Sequence, residues 1–270
     1  MNTNNLVINR ALSAWMKNKT TGDLIFNLTD VKEPSLEIAG EQVYATDSIG
    51  QKIAAFDRNK EAKISCQSSL FDLNLIAAQV GAEKVEAGKS AKILAPVVDI
   101  LEAQSKKITL SKTPKEGYSI TQICKLNNDG SIASKYGVNS TATATQFSIT
   151  GNQISLPTAE DIKDGDRFYV NYMADYDKGV SVVSSADGKA ASGEFVLEVL
   201  FCDPCDQATE YHGYVIFPNG KLTNEATIEM NVEAAQQFTI EALQDWCSKD
   251  KKLFEIVVVG RIRCMQTLPF

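Results

Sequence analysis

The sequence predicts a mainly β protein with one short flanking α-helix and an inserted small β-domain. Apolar and polar residues alternate strictly over residues 226–232, as they do in a strand with one wet face. Short apolar runs separated by Gly, Asn and Asp turns fill residues 106–190, which is typical of a small β-domain. Apolar residues at helical spacing between Leu70 and Val80 predict the helix.

The stretch from Ile53 to Gly81 is predicted as a strand, a sharp turn and a helix. Residues 55–66 mix charged and apolar side chains, which indicates a strand with one solvated face. Ser69 followed by Asp72 predicts a capping box at the start of the helix, and Gly81 fits the left-handed residue just past its end. The expected apolar face of the helix comprises Leu70, Phe71, Leu73, Leu75, Ile76, Ala77 and Val80.

Three shorter segments precede this stretch. Apolar residues in the segment Leu6–Lys17 predict either an amphipathic helix or an arm docked on a neighbour. Residues 23–29 predict a strand, and residues 34–45 predict a hairpin that turns at Gly40. Residues 46–51 are predicted as a polar loop.

The middle of the chain is predicted as an insertion. Residues 84–104 are expected to form a loop and a strand leaving the first sheet, with Pro96 arguing against a helix or an interior strand. Turn signals at 128–130, 151–152 and 164–166 then indicate an immunoglobulin-like sandwich, although the marker Cys and Trp pattern is missing. The predicted domains are therefore a core of residues 1–105 and 191–270, and an inserted β-domain of residues 106–190.

Strand character resumes after the flexible segment at 187–193. Residues 194–204 and 211–222 predict strands, with a turn at 218–220. The nearly continuous apolar run at 253–259 predicts a strand in the centre of a sheet.

The composition limits the partners and the compartment. The formal net charge of -7 disfavours binding of phosphate backbones, which depends on Lys and Arg. Neither a signal peptide pattern nor a run of roughly 18 apolar residues is present, so neither secretion nor a membrane span is expected. The six cysteines lack the dense spacing of a disulfide scaffold, which favours folding in a reducing cytoplasm.

Cysteine and histidine offer the first candidates for chemistry. Cys202 and Cys205 form a CxxC pair that is open to three interpretations: half of a zinc site, a disulfide or redox pair, and an ordinary turn, which is favoured because no second pair accompanies it. His212 is the only histidine, and no nucleophile motif accompanies it, so a structural role is favoured.

Acidic and aromatic clusters offer two further candidates. Asp161, Asp164 and Asp166 do not have EF-hand spacing, so a solvated turn is favoured over calcium. An aromatic series is assigned to strand packing rather than to nucleic-acid stacking, because the surrounding charge is wrong for nucleic acid. No phosphate-binding loop is present. The aromatic series comprises Phe168, Tyr169, Tyr172 and Tyr176. The sequence therefore predicts no catalytic, cofactor or metal residue and no enzyme activity.

Two stretches resemble the tail tube proteins of tailed bacteriophages. The first is FDRNKEAKISCQSSLFDLNLIAAQVGAE, a charged strand followed by a short apolar helix. The second is PNGKLTNEATIEMNVEAAQQFTIEALQD followed by KKLFEIVVV. Together they contain 65 of the 270 residues.

The resemblance implies a fold, an assembly and a function. It implies a β-sandwich or barrel-like core with one flanking helix, assembled into hexameric rings that stack into a tube for DNA passage. Ala55–Gly81 and Asn224–Leu243 would then belong to the tube-forming core. Residues 2–17 and the loop at 46–51 would contact neighbouring subunits, and the middle β-domain would decorate the outside of the tube. The protein is expected in the virion, with other tail proteins as partners, no membrane, and synthesis in the host cytoplasm.

Three observations from the residues agree with a structural virion part. No catalytic constellation is present, the acidic balance suits a channel that must not bind DNA, and exposed strand edges suit ring closure. Three alternatives stay open. One is another virion component, such as a neck, tail terminator or head decoration protein. The second is a carbohydrate-binding or surface-binding module on the middle domain, with Tyr169, Tyr172 and Tyr176 lining the site. The third and weakest is an enzyme that uses His212, Cys202 or Cys205.

Overall fold

The computed structural model confirms a mainly β protein with a single short helix among the residues that it describes, 5–88, 91–158, 162–225, 227–230, 235–246 and 248–260. The chain divides into unit 1, residues 1–84 and 182–270, and unit 2, residues 85–181. The helix is α1 (Leu73–Val80). The strands are β1 (Val7–Lys17), β2 (Leu24–Leu28), β3 (Lys32–Thr46), β4 (Lys52–Ser68), β5 (Lys84–Glu86), β6 (Ile93–Glu102), β7 (Lys107–Thr109), β8 (Gln122–Leu126), β9 (Ile132–Val138), β10 (Gln146–Thr150), β11 (Gln153–Ser155), β12 (Arg167–Tyr176), β13 (Val180–Val182), β14 (Ser192–Asp203), β15 (Asp206–Leu222), β16 (Gln236–Ala242) and β17 (Glu255–Val259).

Unit 1 is built on one curved antiparallel sheet with the strand order β2-β1-β14-β15-β16-β4-β3, and β17 pairs with β15. The curvature is visible in its core, where Phe26 of β2 packs edge-to-face on Phe238 of β16 with ring centroids 6.0 Å apart. Three strands lie between β2 and β16 in the sheet. A flat sheet would hold these rings far apart, so the sheet curls towards a barrel around its aromatic core.

The helix α1 is capped at both ends by local sequence. The Asp72 carboxylate accepts the backbone N–H groups of Asn74 and Leu75 at 2.7 and 2.9 Å, so Asp72 is the N-cap. Ser69 is not the cap, and the predicted capping box is wrong. Gly81 ends the helix at φ +66°, as predicted.

The predicted apolar face of the helix is also corrected at its start. Leu70 and Phe71 precede the first helical turn and are 56% and 53% exposed. Leu75, Ala77 and Ala78 are the apolar residues that the helix buries in unit 1. The helix therefore begins three residues later than its apolar pattern, because the carboxylate at the cap fixes the first turn.

Two predicted turns are strand interiors. The predicted hairpin at Gly40 is wrong, because β3 continues through this residue and pairs with β4 on both sides of it, with a register shift between Ala39 and Glu41. The predicted turn at 218–220 is also wrong, because β15 continues to Leu222. Gly220 pairs there with Gly193 and with Ala242. In both places pairing with a neighbouring strand overrides a local turn signal.

Three other predicted elements differ from the structure. Residues 7–17 form β1 between β2 and β14, so the helix interpretation of this segment is wrong. Of the strand predicted at 226–232, residues 226, 231 and 232 lie outside the described part. In the rest, Ile228 makes an isolated bridge to Gln236 in place of a regular strand. The run 253–259 gives β17, which pairs with β15 alone among the described strands and leaves Ile256 51% exposed, so it is not a central strand.

Unit 2 is a second β structure with its own core. Its sheet has the order β6-β12-β8-β9-β10-β11-β7, with a parallel pair at β9 and β10. It begins at Val85, ahead of the predicted boundary at 106, because β6 pairs along its whole length with β12. Pro96 is accommodated because β6 is an edge strand. Strands β5 and β13 pair with each other at the two ends of this segment.

A buried acid holds the two ends of the sheet in unit 2. Asp99 on β6 accepts hydrogen bonds from the Ser111 backbone N–H at 2.9 Å, the Ser111 hydroxyl at 2.8 Å and the Tyr172 hydroxyl at 2.8 Å. Burial opposes ionisation of Asp99, but these three donors outweigh it and lower the pKa of the carboxyl. Because Ser111 follows β7 closely, these bonds connect the first strand of the sheet with its last.

Candidate assembly surface

The outer part of the β3–β4 hairpin, residues 39–61, is exposed at nearly every position. Strand β4 is held on both sides over residues 63–67, between β3 and β16. Over residues 52–62 it pairs with β3 alone among the described strands. The outer part is therefore a two-stranded ribbon, and ten residues of straight extended chain would give it a length of at most about 33 Å.

The tip of the hairpin is a well-formed turn. The Asp47 carboxylate accepts the backbone N–H groups of Ile49 and Gln51 at 3.0 and 2.8 Å. Gly50 adopts φ +84°, and its N–H donates to the Asp47 carbonyl. Ile49 at this turn is 80% exposed. The predicted polar loop at 46–51 is therefore an ordered tip with an apolar side chain in solvent.

The two faces of the ribbon differ in chemistry. Val43 pairs with Phe56 and Ala45 pairs with Ala54, which gives one face an apolar patch. Phe56 in this patch is 54% exposed. Such an apolar patch on a ribbon with two open edges indicates a protein interaction surface.

The opposite face carries a polar network around Tyr44. The Tyr44 hydroxyl donates to Gln42, whose amide donates to Asp57 across the strands at 3.1 Å. Lys52 lies over the Tyr44 ring with its Nζ 3.5 Å from the centroid. This network fixes the register of the ribbon at its outer end, while Ile53 nearby is 69% exposed.

The base of the ribbon bends at a bulge and borders a groove. Asn59 adopts φ +51° there, and its amide donates to Glu41 at 2.9 Å. A groove of about 360 Å³ lies beside the base, between the ribbon and the end of β16. Glu37, Glu61 and Glu241 line it, together with Lys63. The groove is thus lined by more acidic than basic side chains.

The sheet of unit 1 also has open edges. Strands β2 and β3 stand at the two ends of its strand order, so each has one side without a partner strand among the described residues. At the start of β1, Val7 and Ile8 are 49% and 64% exposed. Open strand edges and exposed apolar residues are the features by which β proteins associate.

The candidate CxxC pair lies in a hairpin turn. Cys202 is near the end of β14 and Cys205 is in the turn that leads into β15, with its N–H donating to the Asp203 carboxylate at 2.9 Å. Both are free thiols. Cys66 and Cys124 are buried, and burial raises the pKa of the Cys66 thiol to about 12. Cys247 and Cys264 lie outside the described residues.

His212 belongs to a hydrogen-bonded group on the sheet rather than to a hydrolase triad. Its Nδ1 lies 2.9 Å from the Glu198 carboxylate, and the Ser13 hydroxyl donates to the same carboxylate at 2.8 Å. In a triad the serine would bind the imidazole. Here both groups bind the acid, which joins β1, β14 and β15.

The acidic turn and the aromatic strand also have structural explanations. Asp164 accepts the Ser105 N–H at 2.7 Å, and Asp166 forms an ion pair with Lys125 at 2.7 Å. Asp161 lies outside the described residues, and in the described part of the chain no group of three or more acidic, Cys or His residues is arranged to hold a metal ion. On β12, Phe168 and Tyr172 face the core of unit 2, whereas Tyr169 does not belong to it.

A comparison with protein families assigns the chain. The YomU/Tube protein family matches residues 6–256, which include all of unit 2, most of unit 1 and the whole β3–β4 hairpin. This chain belongs to the YomU/Tube protein family. The family is phage-associated and tube-like. No curated protein matches the chain.

In the YomU/Tube chain, sequence reasoning found the loop at 46–51 but not the long ribbon of β3 and β4 that carries it. The sequence predicted the strand at 55–66 and the loop at 46–51, but it assigned residues 34–45 to a separate hairpin. The signal was available in Asp47 and Gly50, which together specify the turn that joins β3 to β4. In the part of this YomU/Tube chain that the structure describes, no helix is long and apolar enough to cross a bilayer.

Proposed function

We propose that this chain is a phage tail tube subunit that assembles into stacked hexameric rings around a channel for DNA. Membership of the YomU/Tube family over residues 6–256 supports a tube-like structural role. The hexamer and the stacking follow from the resemblance to tail tube proteins. The subunit would act in the virion, with other tail proteins as partners and with no enzyme activity.

The observation that carries the proposal is the ribbon of residues 39–61. A two-stranded ribbon with open edges and an exposed apolar face is costly for a monomer, because isolated hairpins are marginally stable in water. Contact with a neighbouring subunit on this face would cover Phe56, which is 54% exposed. We assign the ribbon, including the tip at 46–51, to the contact between subunits.

Ring closure is assigned to the open edges of unit 1. Edge strands β2 and β3 offer unpaired backbone groups for a neighbouring sheet, and the exposed start of β1 within residues 2–17 adds apolar contact. The core of each ring subunit would include Ala55–Gly81 and Asn224–Leu243, which contribute Ile64, Phe238 and Ile240 to the buried cluster of unit 1. The net charge of -7 supports a channel that repels DNA phosphates.

Electron microscopy of the purified full chain tests the assembly. We expect negative-stain images at high concentration to contain tubes or stacked rings with a central hole, and light scattering to give masses that rise with concentration. Rings of one fixed size that never stack would instead favour a neck, tail terminator or decoration protein. A chain that remains monomeric under all these conditions would contradict the proposal.

A further inference from the structure

A groove of about 370 Å³ lies on the outer face of the sheet in unit 2. Its wall follows β8 and β12, which pair through Cys124 and Tyr169. Tyr118, from the segment before β8, also lines it and is 49% exposed. The volume falls within the range of small-ligand sites.

The chemistry of the groove is polar but uncharged. In a chain with 23% charged residues, none of the nine residues that line it is Lys, Arg, His, Asp or Glu. Ser119, Thr121, Gln122 and Asn171 supply hydroxyl and amide groups. A ligand that fits this lining carries hydrogen-bonding groups and no net charge.

The two amide side chains are placed to bind such a ligand. Continuing the β8–β12 register by one residue beyond Ile123 and Val170 sets Gln122 opposite Asn171, on the same face as Tyr169. Both amides are exposed, and neither has a side-chain hydrogen-bond partner among the described residues. By contrast, the Tyr172 hydroxyl is already bound to Asp99 at 2.8 Å.

We propose that this groove binds a neutral saccharide. The Tyr169 and Tyr118 rings offer flat apolar surfaces against which the C–H face of a pyranose ring packs, and the amides of Gln122 and Asn171 bind its hydroxyl groups. Of the three tyrosines expected to line a sugar site, Tyr169 and Tyr172 line the groove. The Tyr172 ring belongs to the core of unit 2 and Tyr176 packs against that core, so Tyr169 is the one of the three that we assign to stacking on the sugar. The inference does not depend on tube assembly and goes beyond it.

A protein partner is the competing occupant of this face. Val98 and Ile100 on the neighbouring strand β6 are 55% and 52% exposed and pair with Asn171 and Tyr169. They extend the face as an apolar strip. The uncharged groove with its two unused amides favours the sugar, because a protein interface of this kind would not require a concave site with free amides.

The test measures saccharide binding by the full chain. Isothermal titration calorimetry would use maltohexaose, cellohexaose and N-acetylchitohexaose as neutral probes, and trigalacturonic acid as the acidic probe. We expect at least one neutral probe to bind, and Tyr169→Ala and Asn171→Ala each to weaken its binding by about tenfold. Tyr44→Ala, which removes an exposed tyrosine from the ribbon of unit 1, is the matched control and is expected to bind as the wild type does.

Each other outcome overturns the inference. It fails when no neutral probe binds at concentrations up to about 10 mM, where even a weak site is occupied. It also fails when trigalacturonic acid binds as tightly as the neutral probes, or when Tyr169→Ala and Tyr44→Ala lose binding equally. A Tyr169→Ala variant that keeps saccharide binding but changes the mass seen in light scattering would assign the face to a protein contact. Thermal unfolding of each variant establishes that it is folded.

Discussion

Gly81 lies directly against the backbone of Lys189, so that a Cβ at position 81 would overlap the nitrogen, carbonyl carbon and oxygen of Lys189. Gly81 also has φ +66°, a conformation that L side chains rarely adopt. The end of α1 is therefore docked on the segment that leads into β14, and the close approach requires glycine. Both the left-handed backbone and the close approach to Lys189 therefore require glycine at position 81.

Gly81→Ala is expected to lower the free energy of unfolding by about 3 kcal/mol, from the left-handed backbone and the overlap together. Urea unfolding followed by circular dichroism measures it. Gly22→Ala is the matched control, because Gly22 has φ +77° but no neighbouring atom within 4 Å of where a Cβ would lie. The control is expected to lose only about 1 kcal/mol. Equal losses of unfolding free energy in the two variants would show that the overlap with Lys189 does not contribute to the loss in Gly81→Ala.

The cap of the helix makes the second prediction. Asp72→Ala removes the acceptor for the N–H groups of Asn74 and Leu75 and is expected to cost about 1 kcal/mol of unfolding free energy. Ser69→Ala, at the cap that the sequence favoured, is expected to change stability by less than about 0.5 kcal/mol, because Ser69 is exposed and lies outside the helix. Urea unfolding of both variants measures the two losses of unfolding free energy. A larger loss in Ser69→Ala than in Asp72→Ala would contradict the observed cap.

The Asp99 cluster in unit 2 predicts a pH dependence. The pKa of Asp99 is lowered in the folded state, because three hydrogen bonds from Ser111 and Tyr172 outweigh burial. A carboxyl with a lowered folded pKa stabilises the fold above its unfolded pKa of about 3.9 and loses this contribution as the pH falls through the folded pKa. Asp99→Asn is therefore expected to cost about 1–3 kcal/mol at pH 7. The difference in unfolding free energy between Asp99→Asn and the wild type is expected to narrow below about pH 4.

Urea unfolding between about pH 3 and pH 7 measures this gap. Tyr172→Phe removes one of the donors to Asp99 and is expected to give a smaller loss of the same sign. Tyr176→Phe is its matched control, because the Tyr176 hydroxyl makes no hydrogen bond among the described residues. A gap between Asp99→Asn and the wild type that stays constant over this pH range would contradict the lowered pKa.

The sequence predicts local elements better than it predicts where strands end. The alternation within 55–66 and the glycine at 81 identify β4 and the end of α1, because both signals act over a few residues. Gly40 and the Pro-Asn-Gly at 218–220 fail as turn signals, since the long pairings of β3 with β4 and of β14 with β15 hold the chain extended there. Pairing between residues distant in the chain supplies energy that a local pattern does not contain.

The same limit applies to the candidate sites. The sequence placed Tyr169, Tyr172 and Tyr176 together because they are close in the chain. The two-residue period of a strand separates Tyr169 from Tyr172, and Gln122 joins Tyr169 from another strand. The register that brings Gln122 and Asn171 together is set by the whole sheet of unit 2. No spacing in the sequence contains it.

The exposed apolar face of the ribbon makes the last prediction. Phe56→Ser is expected to leave the unfolding free energy within about 0.5 kcal/mol of the wild type, because Phe56 is 54% exposed and its ribbon stands apart from the core. The same change removes an apolar anchor from each subunit contact, so assembly seen by light scattering is expected to need at least about tenfold more protein. Val183→Ser, at a 72% exposed valine outside the ribbon, is the matched control and should assemble like the wild type. Should both variants assemble at the wild-type concentration, the ribbon would not be the contact between subunits.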